Sequence, residues 1–192
     1  MNSFYLFGTG ALVAALAGIA FILGNTGNVQ TNLDWSRYAT TTFSISYPPG
    51  YVPDETYVHD IGPGRRATGV KFTVNPDRVA GTNLAPDSYL SVESLSTLVT
   101  CDATPYLRDP RTMPPVKDGA YTYSLARESV PGDASTYEET VYVRTGEGRC
   151  LAVHYVIHIN NLGQYNLGTV RPFKSASLLE EFDKMRRSLV IR

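Results

Sequence analysis

The chain has 192 residues, enough for one domain of roughly 150 residues plus an appendage and too few for two full-sized domains. Hydrophobic residues make up 43% and aromatic residues 11%, enough to bury a core, which argues against intrinsic disorder. With 17 basic and 18 acidic side chains and a formal net charge of -1, a general electrostatic grip on nucleic acid is not expected.

No Lys, Arg, Asp or Glu precedes Asp34. From Phe4 to Leu23 the chain is uncharged and mainly apolar; as a helix, about 20 such residues span roughly 30 Å, the thickness of a bilayer's hydrocarbon core. Residues 1-24 therefore read as a single transmembrane anchor or a signal segment, with Gly18-Ile19-Ala20 as a small-residue cleavage site in the second case. Gly10, Ala14 and Gly18 recur every four residues, a spacing that lets another transmembrane helix pack closely, although such segments are rich in Ala and Gly in any case. Residues 25-34, which include the polar run Asn25 to Asn32, read as a flexible tether, and residues 35-192 as an extracytoplasmic domain.

Within the body, Phe43, Ile45 and Tyr47 alternate along a strand stopped by Pro48-Pro49-Gly50. A turn at Gly62-Pro63-Gly64 precedes a second strand with Val70, Phe72 and Val74 on one face. After a loop over Asn75 to Asp87, Tyr89 to Leu95 alternates again, with Leu90 and Val92 opposite Tyr89, Ser91, Glu93 and Leu95. Residues Asp102 to Asp118 carry Pro105, Pro110, Pro114 and Pro115, too many for a long helix or a central strand, so a short helical turn and then surface loop are expected. Strands follow around Tyr121 to Glu128, Thr136 to Arg144 and Cys150 to Ile159. The Thr145-Gly146-Glu147-Gly148 connection is a strong hairpin signal. If Val143 pairs with Cys150, Glu139 lies opposite His154. Leu151, Val153, Tyr155, Ile157 and Ile159 form the expected core face of the last strand. Leu178, Phe182, Met185 and Leu189 recur at helical spacing, with Ser177 and Glu180 as a capping box, and Leu189-Val190-Ile191 can return as a short strand.

Cys101 and Cys150 are the only cysteines, without Cys-x-x-Cys spacing or a nearby second ligand pair. Behind a membrane-targeting segment they read as a structural disulfide in an oxidising compartment, with two buried thiols as the alternative. His154 and His158 are four apart on a strand, about 13 Å at roughly 3.3 Å per residue, too far to share a metal ion. No metal and no cofactor is therefore expected. Glu139 beside His154 is the one candidate acid and base pair, of the kind a hydrolase could use, but a cross-strand ion pair is the commoner role. Gly62-Pro63-Gly64-Arg65-Arg66 reads as a solvated turn or a loop for lipid headgroups. The segment Asn160 to Tyr165 joins polar and aromatic residues at the end of the longest strand, and Asn160, Asn161 and Tyr165 are the candidate interaction residues.

The opening Thr41-Thr42-Phe43-Ser44-Ile45-Ser46-Tyr47-Pro48-Pro49-Gly50-Tyr51 and the closing Phe182-Asp183-Lys184-Met185-Arg186-Arg187-Ser188-Leu189-Val190-Ile191 resemble the two ends of PsbP/Mog1-like α/β/α sandwich domains. Those domains begin with an F-x-[IF]-x-Y-P-x-[GD]-[WY] strand and turn and end with an F-D-x-[IM]-x-x-[ST]-[LF] helix. The middle, through Gly81-Thr82-Asn83-Leu84-Ala85-Pro86-Asp87-Ser88-Tyr89-Leu90-Ser91-Val92-Glu93, resembles an uncharacterised family of bacterial membrane-anchored or secreted proteins. The resemblance implies an α+β interaction domain, an antiparallel sheet flanked by helices, and carries over no catalytic residues. PsbP-like domains dock on photosystem II and Mog1-like domains bind a small GTPase, but no residues here transfer either partner. The sequence thus points to a non-enzymatic, single-pass membrane domain in the periplasm or outside the cell that supports another envelope protein. A secreted ligand-binding module and a hydrolase using Glu139 and His154 are the alternatives.

Overall fold

The structure, a computed structural model, describes residues 35–95 and 100–192. The apolar segment with Gly10, Ala14 and Gly18, and the tether, lie outside these residues. Among the described residues no helix is long and apolar enough to cross a membrane.

Two antiparallel sheets and few helices make up the described body. The smaller sheet has order β1 (Ser36–Ala39), β2 (Phe43–Tyr47), β11 (Val190–Ile191), so the opening and closing motifs of the chain meet in it. Ser188, just beyond the last helix, seals the junction by accepting a 2.8 Å hydrogen bond from the Ser46 amide at its Oγ. The larger sheet has eight strands. Its order is β3 (Val52–Asp54), β5 (Arg65–Thr73), β6 (Tyr89–Leu95), β10 (Arg149–Asn160), β9 (Ser135–Gly146), β8 (Tyr121–Pro131), β7 (Arg111–Asp118), with β4 (Val58–Gly62) also paired to β5. Among the described residues the helices are α1 (Pro76–Val79), α2 (Ala176–Arg187) and two short 3-10 turns.

Alternation decides what each face of the large sheet buries. Val70, Phe72, Leu90, Val92, Leu151, Val153, Tyr155 and Ile157 share one face and form the main core with Leu178, Phe182, Met185 and Leu189. The expected core face and the apolar stripe of α2 are both as the periodicity indicates. Arg186 ties the helix to the sheet: the residue is 2% exposed, and its guanidinium lies over the Tyr123 and Tyr142 rings and donates to Tyr155 Oη and to Asp118. The helix is preceded by Ser175 at its N-cap, whose side chain makes no capping bond. The Ser177 and Glu180 pair falls inside the helix, so no capping box forms; Ser177 Oγ instead accepts from Arg78.

The opposite face is covered too, and not by a helix. Ala67, Leu95, Ala126, Val141, Val143 and Ala152 pack there against Ile61, Ala103, Tyr106 and Leu107. The cover is the segment that begins at Cys101, bonded to Cys150 at the start of β10 with their Cα atoms 5.4 Å apart. Ser124 Oγ accepts from the Ala103 amide, and Asp102 caps the short turn at Thr104. A helix on this face would have to pass through Pro105 and Pro110, which removes the amide donors it needs.

Two further expectations need correction. Residues 111–118 are a strand, β7, rather than loop. It is one edge strand of the sheet, and its register breaks between Met113 and Val116 at Pro114-Pro115, which is where prolines are tolerated in a sheet. In the β9–β10 hairpin, Cys150 faces Thr145 and His154 faces Val141. The turn is the tight pair Glu147 and Gly148, with φ of 50° and 71°, the positive values a two-residue hairpin requires. A shift of two residues leaves every side chain on its expected face.

Gly69, opposite Glu93 in the β5–β6 ladder, sits where a β-carbon would lie 1.9 Å from the Val92 carbonyl oxygen. Gly69→Ala is expected to push β5 off β6 and to lower the unfolding free energy by about 1–3 kcal/mol, as overpacking does. Denaturant titration of the purified protein checks this, and an unchanged midpoint would contradict the close approach of the two strands.

Candidate functional site

The second face of the large sheet carries a charged cluster within its apolar cover. On β6, Tyr89, Ser91 and Glu93 point there, and Glu93 is fully buried. An ionised carboxylate in that position is costly unless donors surround it. Glu93 Oε1 accepts from Ser91 Oγ at 2.5 Å, Tyr57 Oη at 3.2 Å and His154 Nδ1 at 3.2 Å. Oε2 accepts from His59 Nδ1 at 3.1 Å. Because the carboxylate only accepts, both Nδ1 atoms carry the proton. Tyr89 Oη, 2.9 Å from Tyr57 Oη, donates in turn to the phenol that Glu93 occupies.

Small residues make this convergence possible. His59 on β4 lies beside Ala67 on β5, and Gly69 lies opposite Glu93. With strands about 4.8 Å apart, His59 and Glu93 meet across β5 only because no bulky side chain rises between them. On the other flank, β10 supplies His154 and β9 supplies Glu139 diagonally across the ladder, with His154 Nε2 2.9 Å from Glu139 Oε2. That contact is ionic rather than a well-aligned hydrogen bond, since Nε2 has no acceptor in hydrogen-bonding geometry. The pair expected from the sequence therefore forms in spite of the changed register.

The charges reinforce one another. Burial disfavours ionised Glu93, but the His154 charge and bonds from both imidazoles outweigh it and hold the carboxyl well below its usual range. Burial likewise disfavours the His154 cation; the Glu93 charge and the contact with Glu139 overcome it and push the imidazole up to about 9. Glu139 is lowered, its own burial being outweighed by His154. Burial, followed by the proximity of Glu93, raises Tyr57, so its phenol stays a donor. At neutral pH His154 is thus an imidazolium between two carboxylates.

The cluster is not sealed. The side chains of His59 and Glu139 are 18% and 19% exposed and line a cavity of about 290 Å3 with Tyr106, Leu107, Arg108 and Tyr137. His59, Glu139 and His154 each offer a ligand atom, all within 4.8 Å of one another. His158 is elsewhere, paired with Asp87 at 2.6 Å and stacked on Tyr137. Sequence reasoning located Glu139 and His154 but not Glu93 and His59, which reach them only through the order of strands. One signal was present: Leu95, Ala152 and Val156 lie on the supposed outer face, which marks it as covered.

The remaining candidates are distributed as follows. Cys101 and Cys150 are joined. Asn160 Nδ2 donates to Tyr165 Oη within the loop, and Asn161 Nδ2 donates to the Asp133 carbonyl, tying the loop to the β8–β9 connection. Arg66 forms an exposed ion pair with Asp60 across the β4–β5 turn, and Arg65 reaches the Pro105 carbonyl.

No family model and no curated protein matches this sequence. Among solved structures, the chain is similar to the Ran-binding protein Mog1p of Saccharomyces cerevisiae at 13% identity, over 83% of this chain and 96% of that one, with a TM-score of 0.47. A point mutant of Mog1 gives 12% identity over 82% and 95% of the two chains, with a TM-score of 0.45. A protein from Bacteroides thetaiotaomicron gives 13% identity over 81% of this chain, with a TM-score of 0.44. The chain spans about half of that protein, 48%.

The two shifts set the pH range of stability. The raised His154 contributes fully below its ordinary value of 6.5, and that contribution is lost as pH rises through about 9. The lowered Glu93 contributes above its ordinary 4.5 and is lost as pH falls below that value. Thermal unfolding followed by circular dichroism should show the highest midpoint between about pH 4.5 and 6.5 and a decline from neutral to pH 9. Glu93→Gln, which leaves His154 without its main counter-charge, should cost about 3–5 kcal/mol and flatten the alkaline decline. A midpoint that does not change between pH 6.5 and 9 in the native protein would contradict the charge assignment.

Proposed function

We propose that this chain is a non-enzymatic binding domain, held outside the cytoplasm by its apolar N-terminal segment, that engages another envelope protein. The observation that carries the reading is the Cys101–Cys150 disulfide, a crosslink that persists in oxidising compartments. It closes a sequence separation of 49 residues, which in the chain-entropy model contributes about 4 kcal/mol. It also secures the segment that covers the second sheet face, so its loss would expose the cluster around Glu93.

Binding is favoured over turnover by the state of the Glu139 and His154 pair. A general base needs a free lone pair near neutral pH, and His154 is a buried cation with both nitrogens facing carboxylates. The PsbP/Mog1-like reading of the body belongs to the same proposal. It is supported by the meeting of the two end motifs in one sheet, where β2 pairs with β11; the second face departs from an α/β/α sandwich in being covered by a segment whose only helical part is a single 3-10 turn, Thr104–Tyr106.

Full-length protein isolated from its native membranes without reductant tests the reading. A thiol-alkylating reagent should leave its intact mass unchanged until reductant is added, after which both cysteines take the label; immediate labelling of both would overturn the compartment assignment. Glu139→Gln should retain the same envelope protein in chemical crosslinking as the native chain. A hydrolytic activity of the native protein that Glu139→Gln abolishes would replace binding with catalysis.

A further inference from the structure

We propose that His59, His154 and Glu139 bind a divalent transition-metal ion of the zinc class, with Glu93 as the outer carboxylate that orients both imidazoles. This goes beyond the function proposed above and depends on neither the compartment nor the partner.

Donor type comes first. Two imidazole nitrogens and one carboxylate oxygen suit zinc and its neighbours, whereas magnesium and calcium take oxygen ligands. The placement of the three residues agrees with the donor type. The three ligand atoms lie within 4.8 Å of one another, and ligands at about 2.0–2.1 Å around a tetrahedral zinc are roughly 3.4 Å apart. The partly exposed His59 and Glu139 side chains are the ones that would move inward to close that difference.

Glu93 also sets the orientation of the two rings. The two oxygens of Glu93 take one Nδ1–H each from His154 and His59. This leaves Nε2 of each ring to face the ion; binding displaces the Nε2 proton of the His154 imidazolium into solvent and uses the lone pair so freed. Metal-binding histidines are commonly held in this way, by a carboxylate behind the ring that fixes tautomer and direction. Nε2 of His154 is fully buried, lacks an aligned hydrogen-bond partner and faces Glu139. A buried polar atom of that kind calls for a ligand. A dication would satisfy it and balance Glu93 and Glu139 when both imidazoles bind as neutral groups.

Access is provided as well. His59 and Glu139 line the cavity of about 290 Å3, through which an ion can reach the cluster from solvent. Three protein ligands leave a coordination position for water or an anionic oxygen, as in open zinc sites.

The untagged full-length protein, purified in detergent and stripped with a chelator, tests the site with Co2+ and Zn2+ alone. Adding Co2+ should produce the visible absorption of a low-coordinate nitrogen and oxygen site, and Zn2+ should abolish it whereas Mg2+ and Ca2+ should not. His59→Ala, a change at a partly exposed strand residue, should keep the native circular dichroism. Its Zn2+ affinity by calorimetry should fall by more than roughly tenfold, the loss that even an outer-shell change brings. Glu139→Gln should weaken binding in the same way, and His158→Ala should leave it unchanged. Absence of the Co2+ bands in the native protein, or Zn2+ binding that survives both His59→Ala and Glu139→Gln, would overturn the proposal.

Discussion

A carboxylate with no exposure to water governs the arrangement of this domain. Glu93 lies in the middle of an eight-stranded sheet, where an unpaired charge would cost several kcal/mol. Every element near it answers that cost. Its own strand supplies Ser91, the approach to β4 supplies Tyr57, β4 supplies His59, and β10 supplies His154. Glu139 on β9 then balances the far side of His154. Five segments are thereby held in one register by a polar network as well as by the ladders.

The network needs a dry environment, and the disulfide helps to provide it. By attaching the 101–107 segment to the start of β10, it places Tyr106 and Leu107 over the second face. A sheet face that would otherwise carry solvated side chains thus becomes a second, smaller core with a charged centre. The main core on the other side is conventional: one amphipathic helix and a three-stranded sheet over alternating aliphatic and aromatic residues.

Local signals in the sequence were enough for most strands and for α2, because alternation and the stripe of Leu178, Phe182, Met185 and Leu189 are short-range patterns. They also placed Glu139 and His154 on a common face, since parity along a hairpin survives a register shift of two. What they missed was long-range. His59 and Glu93 are 34 positions apart and meet across β5 over Gly69, a neighbourhood that no spacing within either strand encodes. Pro114-Pro115 misled for a different reason: proline excludes a central strand but not an edge with a break in its ladder, and whether a strand is an edge depends on the whole sheet. The candidate interaction loop shows the same limit, since its polarity was legible but the internal use of Asn160 and Asn161 was not.

Nitrogen-15 NMR of the imidazole rings tests the central role of Glu93 most directly. In the metal-free protein the account predicts a proton on Nδ1 of both His59 and His154 at neutral pH, and a His154 ring that keeps protons on both nitrogens until the pH approaches about 9. A His154 ring that titrates near 6.5, or a bare Nδ1 facing Glu93, would contradict it.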